Sequence, residues 1–231
     1  MRYFLRERIA GALAVSVTAF YKNAMTKLLD ISSPIDASLK VWPGDTPFSY
    51  KMKMRIADGA NYDLGEIHTT VHVGSHADAP SHYRGGEKTI DACPLDAYYG
   101  PCEVLAVNVS RGARIYPKDI PSTVRAPRVL FKTGSFPDTR NFNEDFVSLS
   151  PELISHLHAQ GVVLVGIDTP SVDPFDSKAL ESHQALADTD MRNLEGLVLR
   201  DVAPGIYTLI ALPLRLAGVD ASPVRAVLVD E

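Results

Sequence analysis

His72-Val73-Gly74-Ser75-His76-Ala77-Asp78-Ala79-Pro80-Ser81-His82 is the stretch around which the 231-residue chain is organised. Its eleven residues hold three of the seven histidines and an aspartate, and a fourth histidine, His68, stands just upstream. Thr69, Thr70, Val71 and Val73 are β-branched and favour strand over helix. Gly74 in a helix interior would cost about 1 kcal/mol. The pattern predicts a strand over 66–77. Period-two alternation then puts His68, Thr70, His72, Gly74 and His76 on one face, with Val71 and Val73 on the other. Asp78 continues the polar face. Gly74, lacking a side chain, leaves space for an ion between the flanking imidazoles. Pro80 has no N–H for a sheet ladder, so it ends the strand and turns His82 back toward the same place.

Imidazole nitrogens beside a carboxylate suit Zn²⁺ and its neighbours, whereas Ca²⁺ and Mg²⁺ want oxygen alone. A face this rich in histidine is expensive to bury unless something pairs with it. A half-exposed strand of hydrogen-bonded histidines is the plainer alternative, and it would suffice for a single histidine. The spacing His-x3-His-x-Asp-x3-His, with glycine and proline at the bends, favours a bound metal ion with ligands drawn from His72, His76, Asp78 and His82.

The length fits one domain with a substantial core. A formal charge of −5 without basic clusters argues against nucleic acid as a partner. Cys93 and Cys102 make no disulfide framework and no CxxC pair. Beyond the amino-terminal segment no stretch reaches the roughly 18 apolar residues that span a bilayer. Residues 1–24 stand apart: Arg2, Arg6 and Arg8 precede an apolar run from Ile9 to Phe20, with Val17-x-Ala19 as a passable cleavage site. That outline fits a signal peptide, a short amphipathic helix, or an upstream start with the working protein beginning at Met25. The expectation is an extension at 1–24, a hydrolase domain at 25–231 and a cytoplasmic enzyme, with a periplasmic one as the minority alternative.

Along the chain, Leu28–Ile31 and Leu39–Trp42 read as short strands, the second stopped by Pro43-Gly44. Phe48–Ile56 alternates as a strand and Asp58-Gly59 turns it toward the histidines. Arg84-Gly85-Gly86-Glu87, beside His82, is placed to offer backbone donors to a substrate carboxylate. Cys102–Val109 and Val129–Lys132 are buried-strand patterns, and Cys102 reads as a packed hydrophobe rather than a nucleophile. Ser150-Pro151-Glu152 opens a helix with an N-cap serine, proline at N1 and an acid in the first turn. His156 and His158 lie two apart on that helix, face different ways, and are read as surface or structural residues and not as ligands. Val162–Ile167 is wholly apolar, the pattern of a strand covered on both faces. Asp168-Thr-Pro-Ser-Val-Asp173 is a loop at its end, and Lys178–Leu186 is helix-compatible. Ile206–Leu216 and Val224–Val229 are the last strands.

The histidine stretch resembles the His-x-Gly-Thr-His-x-Asp-x-Pro-x-His signature of the cyclase-like metal amidohydrolases, a family whose best-known members are bacterial kynurenine formamidases. Ser75 replaces the usual Thr and keeps the hydroxyl. Further matching pieces are Val41-Trp42-Pro43-Gly44-Asp45, Pro94-Leu95-Asp96, Asp168–Asp173, Ala211–Leu216 and Asp220–Arg225, so the resemblance runs from about Met25 to the end. It implies a swivelling β/β/α-type α/β domain with a curled mixed sheet and a few helices, and a homodimer. It also implies two Zn²⁺ ions per subunit, with Mn²⁺ as an option. A second metal held by a His and a Glu with eleven residues between them is matched by His183-x11-Glu195, and Trp42 falls where the family's pocket tryptophan lies.

The activity this implies is hydrolysis of N-formyl-L-kynurenine to L-kynurenine and formate. Two ions sharing a water lower its pKa and yield hydroxide at neutral pH. His82, near the metals but outside their ligands, would carry the proton to the leaving arylamine. Isatin or another cyclic amide is the nearest rival substrate. A two-His-one-carboxylate iron oxygenase and a non-catalytic metal binder are rivals of other classes. A serine hydrolase of the Gly-x-Ser-x-Gly type is excluded, because that motif does not occur.

Overall fold

The computed structural model describes residues 27–230, so the extension expected at 1–24 lies outside the described residues. Among those residues thirteen strands form three sheets, accompanied by two α-helices. The main one has nine strands in the order β1-β13-β11-β5-β7-β9-β10-β4-β12. Their ranges are β1 Lys27–Asp30, β4 His76–Asp78, β5 Tyr99–Ala106, β7 Arg128–Lys132, β9 Leu164–Ile167, β10 Arg192–Glu195, β11 Gly205–Ile210, β12 Ala221–Pro223 and β13 Val227–Asp230. The central β5-β7-β9-β10 block is parallel and the flanking pairs are antiparallel. This is the curled mixed sheet with few helices that the sequence leads one to expect.

Strict alternation in the central strands sends side chains into two cores. Val129 and Phe131 of β7, and Val165 and Ile167 of β9, face one core. Leu130 and Leu164 face the other. Gly166 sits between them because a Cβ there would come within 2.5 Å of Leu130. Helices α1 (Pro151–His158) and α2 (Glu181–Thr189) cover the first face through Leu153, Ile154, Leu157 and Leu186, all fully buried. At roughly 1.5–3 kcal/mol per buried aliphatic side chain, these four anchor both helices to the sheet. α1 starts where its capping signals place it: the Ser150 hydroxyl accepts from the Leu153 amide at 3.1 Å. His156 and His158 lie on its partly and fully exposed positions.

Two short sheets complete the fold, β2 (Ser49–Met54) with β3 (Leu64–His68), and β6 (Arg114–Ile115) with β8 (Ser148–Leu149). The single strand expected over 66–77 is two strands separated by an irregular segment at 69–75. Gly74 adopts φ +62° and turns the chain between His72 and His76. Space for an ion is not its reason, since a Cβ there would meet Leu39 and Ile35. Ser75 fixes the bend: its hydroxyl donates to the Gly196 carbonyl at 2.6 Å and accepts from the Ser33 amide at 3.1 Å. His68 consequently ends in the exposed β2–β3 hairpin, opposite Ser49 and away from the other histidines. Leu39–Trp42 is likewise not a strand. It is loop, drawn to an aromatic cluster through Trp42.

Candidate metal centre and aromatic cavity

β4 and β10 build the floor of the site. They pair antiparallel with Glu195 opposite His76 and Leu194 opposite Ala77. Alternation buries Ala77 and Leu194 in one core and sends His76, Asp78, Asn193 and Glu195 to the other face. Glu195 is the last residue of β10, at the carboxyl edge of the parallel block, where open α/β sheets present ligand sites. α2 lowers His183 onto this floor, and the irregular 69–75 segment brings His72 in from the side.

The polar atoms converge closely. His72 Nδ1 lies 3.0 Å from Asp78 Oδ1, and His76 Nε2 lies 3.3 Å from Asp78 Oδ1 and 3.5 Å from Glu195 Oε2. His183 Nε2 lies 3.4 Å from Asp78 Oδ2 and 3.3 Å from Glu195 Oε1. Two groups able to hold a cation result, His72–His76–Asp78 and Asp78–His183–Glu195, with Asp78 common to both. A third group, His72–His82–Asp220, adjoins them.

Ring tautomers show why a cation fits. His76 Nδ1 faces the Gly74 carbonyl at 3.0 Å. A carbonyl only accepts, so Nδ1 carries the proton and Nε2 turns a lone pair toward two carboxylates. His183 Nδ1 donates to Asp173 Oδ2 at 2.8 Å, which leaves its Nε2 in the same position. Asp78 Oδ1 and His183 Nε2 are buried without a hydrogen-bond partner. Lone pairs facing carboxylates in a buried site require positive charge between them, either a proton or a metal ion.

Proton affinities carry the same message. Burial alone would depress the His76 imidazole, yet Asp78 and Glu195 outweigh it and push its pKa up to about 10. His183 is raised well above its ordinary value: burial opposes this, and Asp173, Asp78 and Glu195 overcome it. Burial would raise Asp78, but the His183, His72 and His76 imidazoles packed against it hold it well below the usual carboxylate range.

Several supporting residues were not legible as site residues in the sequence. Asn193 Nδ2 donates to Asp78 Oδ2 at 2.7 Å and Glu195 Oε1 at 3.2 Å, restraining two carboxylates that would otherwise repel. Asp173, inside a quoted motif but given no role, orients His183. Asp220 accepts from the rings of His72 and His82.

His82 closes the short 3-10 turn Pro80–His82, as Pro80 leads one to expect, and its ring lies 4.1 Å from that of His72. A cavity of about 980 Å³ opens over the site and is lined by His72, His76, His82, His183, Glu195 and Trp42 among others. Trp42 packs at 5.6 Å against Phe142 and 5.0 Å against Phe175, forming an aromatic wall with two partners absent from the sequence reading. Arg84–Glu87 does not line the cavity. Arg84 instead binds Gln184 and Asp188 of α2, so that loop fastens a helix.

Comparison with known proteins agrees with this geometry. The family described as "Putative cyclase" matches residues 29–174. Kynurenine formamidases of Bordetella petrii and Sphingopyxis alaskensis are each 44% identical over 206 residues, covering 88% of this chain and 98% of theirs. The chain belongs to this cyclase family. A solved structure described as a predicted metal-dependent hydrolase from Bacillus stearothermophilus matches with a TM-score of 0.77 at 27% identity, over 90% of this chain and all of that one. An isatin hydrolase bound to thioisatinate matches at a TM-score of 0.79 and 18% identity, over 96% of this chain and 98% of that one, a likeness of fold alone. Cyclase-family membership fits the clustered histidines and carboxylates of β4, α2 and β10.

Proposed function

We propose that this chain is a metal-dependent arylformamidase, hydrolysing N-formyl-L-kynurenine to L-kynurenine and formate. The observation that carries the reading is the convergence of His72, His76, His183, Asp78 and Glu195 beneath an aromatic-walled cavity. The 44% identity to curated kynurenine formamidases supports the choice of substrate.

His72, His76 and Asp78 would hold one divalent ion, and His183 with Glu195 and the shared Asp78 a second; Zn²⁺ is the first candidate and Mn²⁺ the next. Ions at these ligands supply Lewis acidity and lower the pKa of water toward neutrality. The chain's own residues do the rest. Asp78 and Glu195, steadied by Asn193, keep negative charge fixed on the floor. Trp42, with Phe142 and Phe175, offers the aryl ring an apolar wall and excludes bulk water from that side. His82 Nε2 takes a proton from the water as the water oxygen bonds to the formyl carbon, and returns that proton to the arylamine nitrogen as the carbon–nitrogen bond breaks. His82 suits this step because Nδ1 is engaged with Asp220, which turns Nε2 free.

The reading takes the enzyme as a cytoplasmic homodimer. Among the described residues no helix is long and apolar enough to cross a membrane. The surface assigned to the dimer contact in this reading is the β2–β3 hairpin, where Tyr50 and Ile67 face each other across the strands and are 58% and 66% exposed.

The test is to offer purified protein N-formyl-L-kynurenine and isatin side by side. The formamide should be released as kynurenine with the higher kcat/KM. Hydrolysis of isatin with the formamide inert would move the chain to cyclic amides.

A further inference from the structure

Each imidazole of the metal centre gives its outward nitrogen to a different acceptor. His76 uses the Gly74 carbonyl, and His183 uses Asp173. His72 has Nδ1 3.0 Å from Asp78 Oδ1 and Nε2 3.0 Å from Asp220 Oδ2. A ligating imidazole keeps its proton on the nitrogen turned from the metal and donates it outward, usually to a carboxylate or carbonyl. Asp220 is therefore the outward acceptor of His72. The same oxygen, Oδ2, also accepts from His82 Nδ1 at 3.2 Å.

We propose that Asp220 is the shared positioning carboxylate of the site, holding His72 for metal retention and His82 for proton delivery through one oxygen atom. Its backbone is bonded on both sides. Asp220 directly precedes β12, whose Ala221 pairs with Asp78, and its carbonyl accepts from the Ala79 amide at 2.8 Å. The neighbouring Val219 carbonyl accepts from Ile90 at 2.9 Å. The backbone that carries this carboxylate is thus pinned beside Asp78. The His72 and His82 rings lie 4.1 Å apart with 41° between their planes, so one carboxylate reaches both.

The turnover half of this inference rests on the formamidase reading; the metal half does not. Asp220→Ala and Asp220→Asn are compared in the wild-type and His82→Ala backgrounds. Metal affinity is read without substrate, by competition with a chromogenic chelator, and metal content is read at saturation. Asp220→Ala should keep the wild-type number of metals at saturation but bind them roughly 10–100-fold more weakly, as loss of such an outer partner does. It should lower kcat by a similar factor, about 10–100-fold, with KM little changed, and lower kcat no further once His82 is alanine. Asp220→Asn keeps an accepting oxygen and the side-chain shape, so it should recover part of both losses.

Loss of a metal equivalent at saturation would make Asp220 a ligand and overturn the proposal. Unchanged metal affinity in Asp220→Ala would overturn its hold on His72. A further fall of kcat in the double variant at saturating metal would overturn its action through His82. If the wild type fails to hydrolyse the formamide, the formamidase reading falls while the chelator competition still decides the role toward His72.

Discussion

His183 Nδ1 donates to Asp173 Oδ2 at 2.8 Å, and the same carboxylate accepts the backbone amides of Ser182 and His183 at the start of α2. One buried side chain thus caps a helix and orients a candidate metal ligand on its first turn. Burial would raise the Asp173 pKa, but the His183 hydrogen bond and these amides hold it well below the usual carboxylate range. Arg114 Nη1 completes the set at 3.0 Å.

Asp173→Ala leaves His183 Nδ1 and two buried amides without their acceptor and takes one of several partners from Arg114, which keeps Leu149, Ser182 and Glu181. The expected loss in chemical denaturation is about 3–5 kcal/mol, the cost of breaking a buried pair from one side. Asp173→Asn, which better preserves the fold, should weaken metal binding by about 10–100-fold in chelator competition. Wild-type metal affinity in a folded Asp173→Asn protein would contradict the orienting role.

Trp42 is expected to act on substrate binding more than on turnover. An aromatic contact is worth about 0.5–1.5 kcal/mol, so Trp42→Ala should raise KM for the aryl formamide roughly two- to tenfold while kcat changes less. Steady-state kinetics with thermal melting separates the alternatives. A lower melting temperature with KM unchanged would make Trp42 a packing residue of the loop.

The β2–β3 hairpin is a weak structure alone, since two strands are marginal in water. Its strands pack principally on each other, and Tyr50, Leu64 and Ile67 stay exposed. If a second copy covers it, Ile67→Glu should shift the protein from dimer to monomer in analytical ultracentrifugation. A dimer that survives the substitution would place the interface elsewhere.

Both cysteines should be inert in the folded protein. Burial pushes the Cys102 thiol up to about 12 and also raises Cys93, so the reactive thiolate is scarcer at pH 8 than in a free thiol. Mass spectrometry after iodoacetamide at pH 8 should find neither residue labelled until the chain is denatured. Rapid labelling of native Cys102 would contradict its packing.

What was legible in the sequence followed from local chemistry. Ser150-Pro151 announced α1, and the apolar run at 162–167 announced the doubly covered β9. The His72–His82 spacing announced residues that do converge. The continuous strand over 66–77 was not correct, because tertiary bonds outweigh β-propensity there. Ser75 is held by Ser33 and Gly196, and Gly74 takes a left-handed turn. Gly196 makes that contact possible, since a Cβ would come within 2.3 Å of the Gly74 carbonyl. Asp220 and Asn193 were silent for a related reason. They reach the site only because β12 and β10 flank β4, joining positions as far apart in sequence as 72 and 220.

The most direct test is metal-dependent turnover of N-formyl-L-kynurenine. Protein stripped by a chelator and reloaded stepwise with Zn²⁺ or Mn²⁺ is assayed for kynurenine release, with metal content read on each sample. The account predicts no release from stripped protein and activity that recovers as bound metal approaches about two per chain. Full turnover by protein verified as metal-free, or failure of the site to bind any divalent ion, would contradict it.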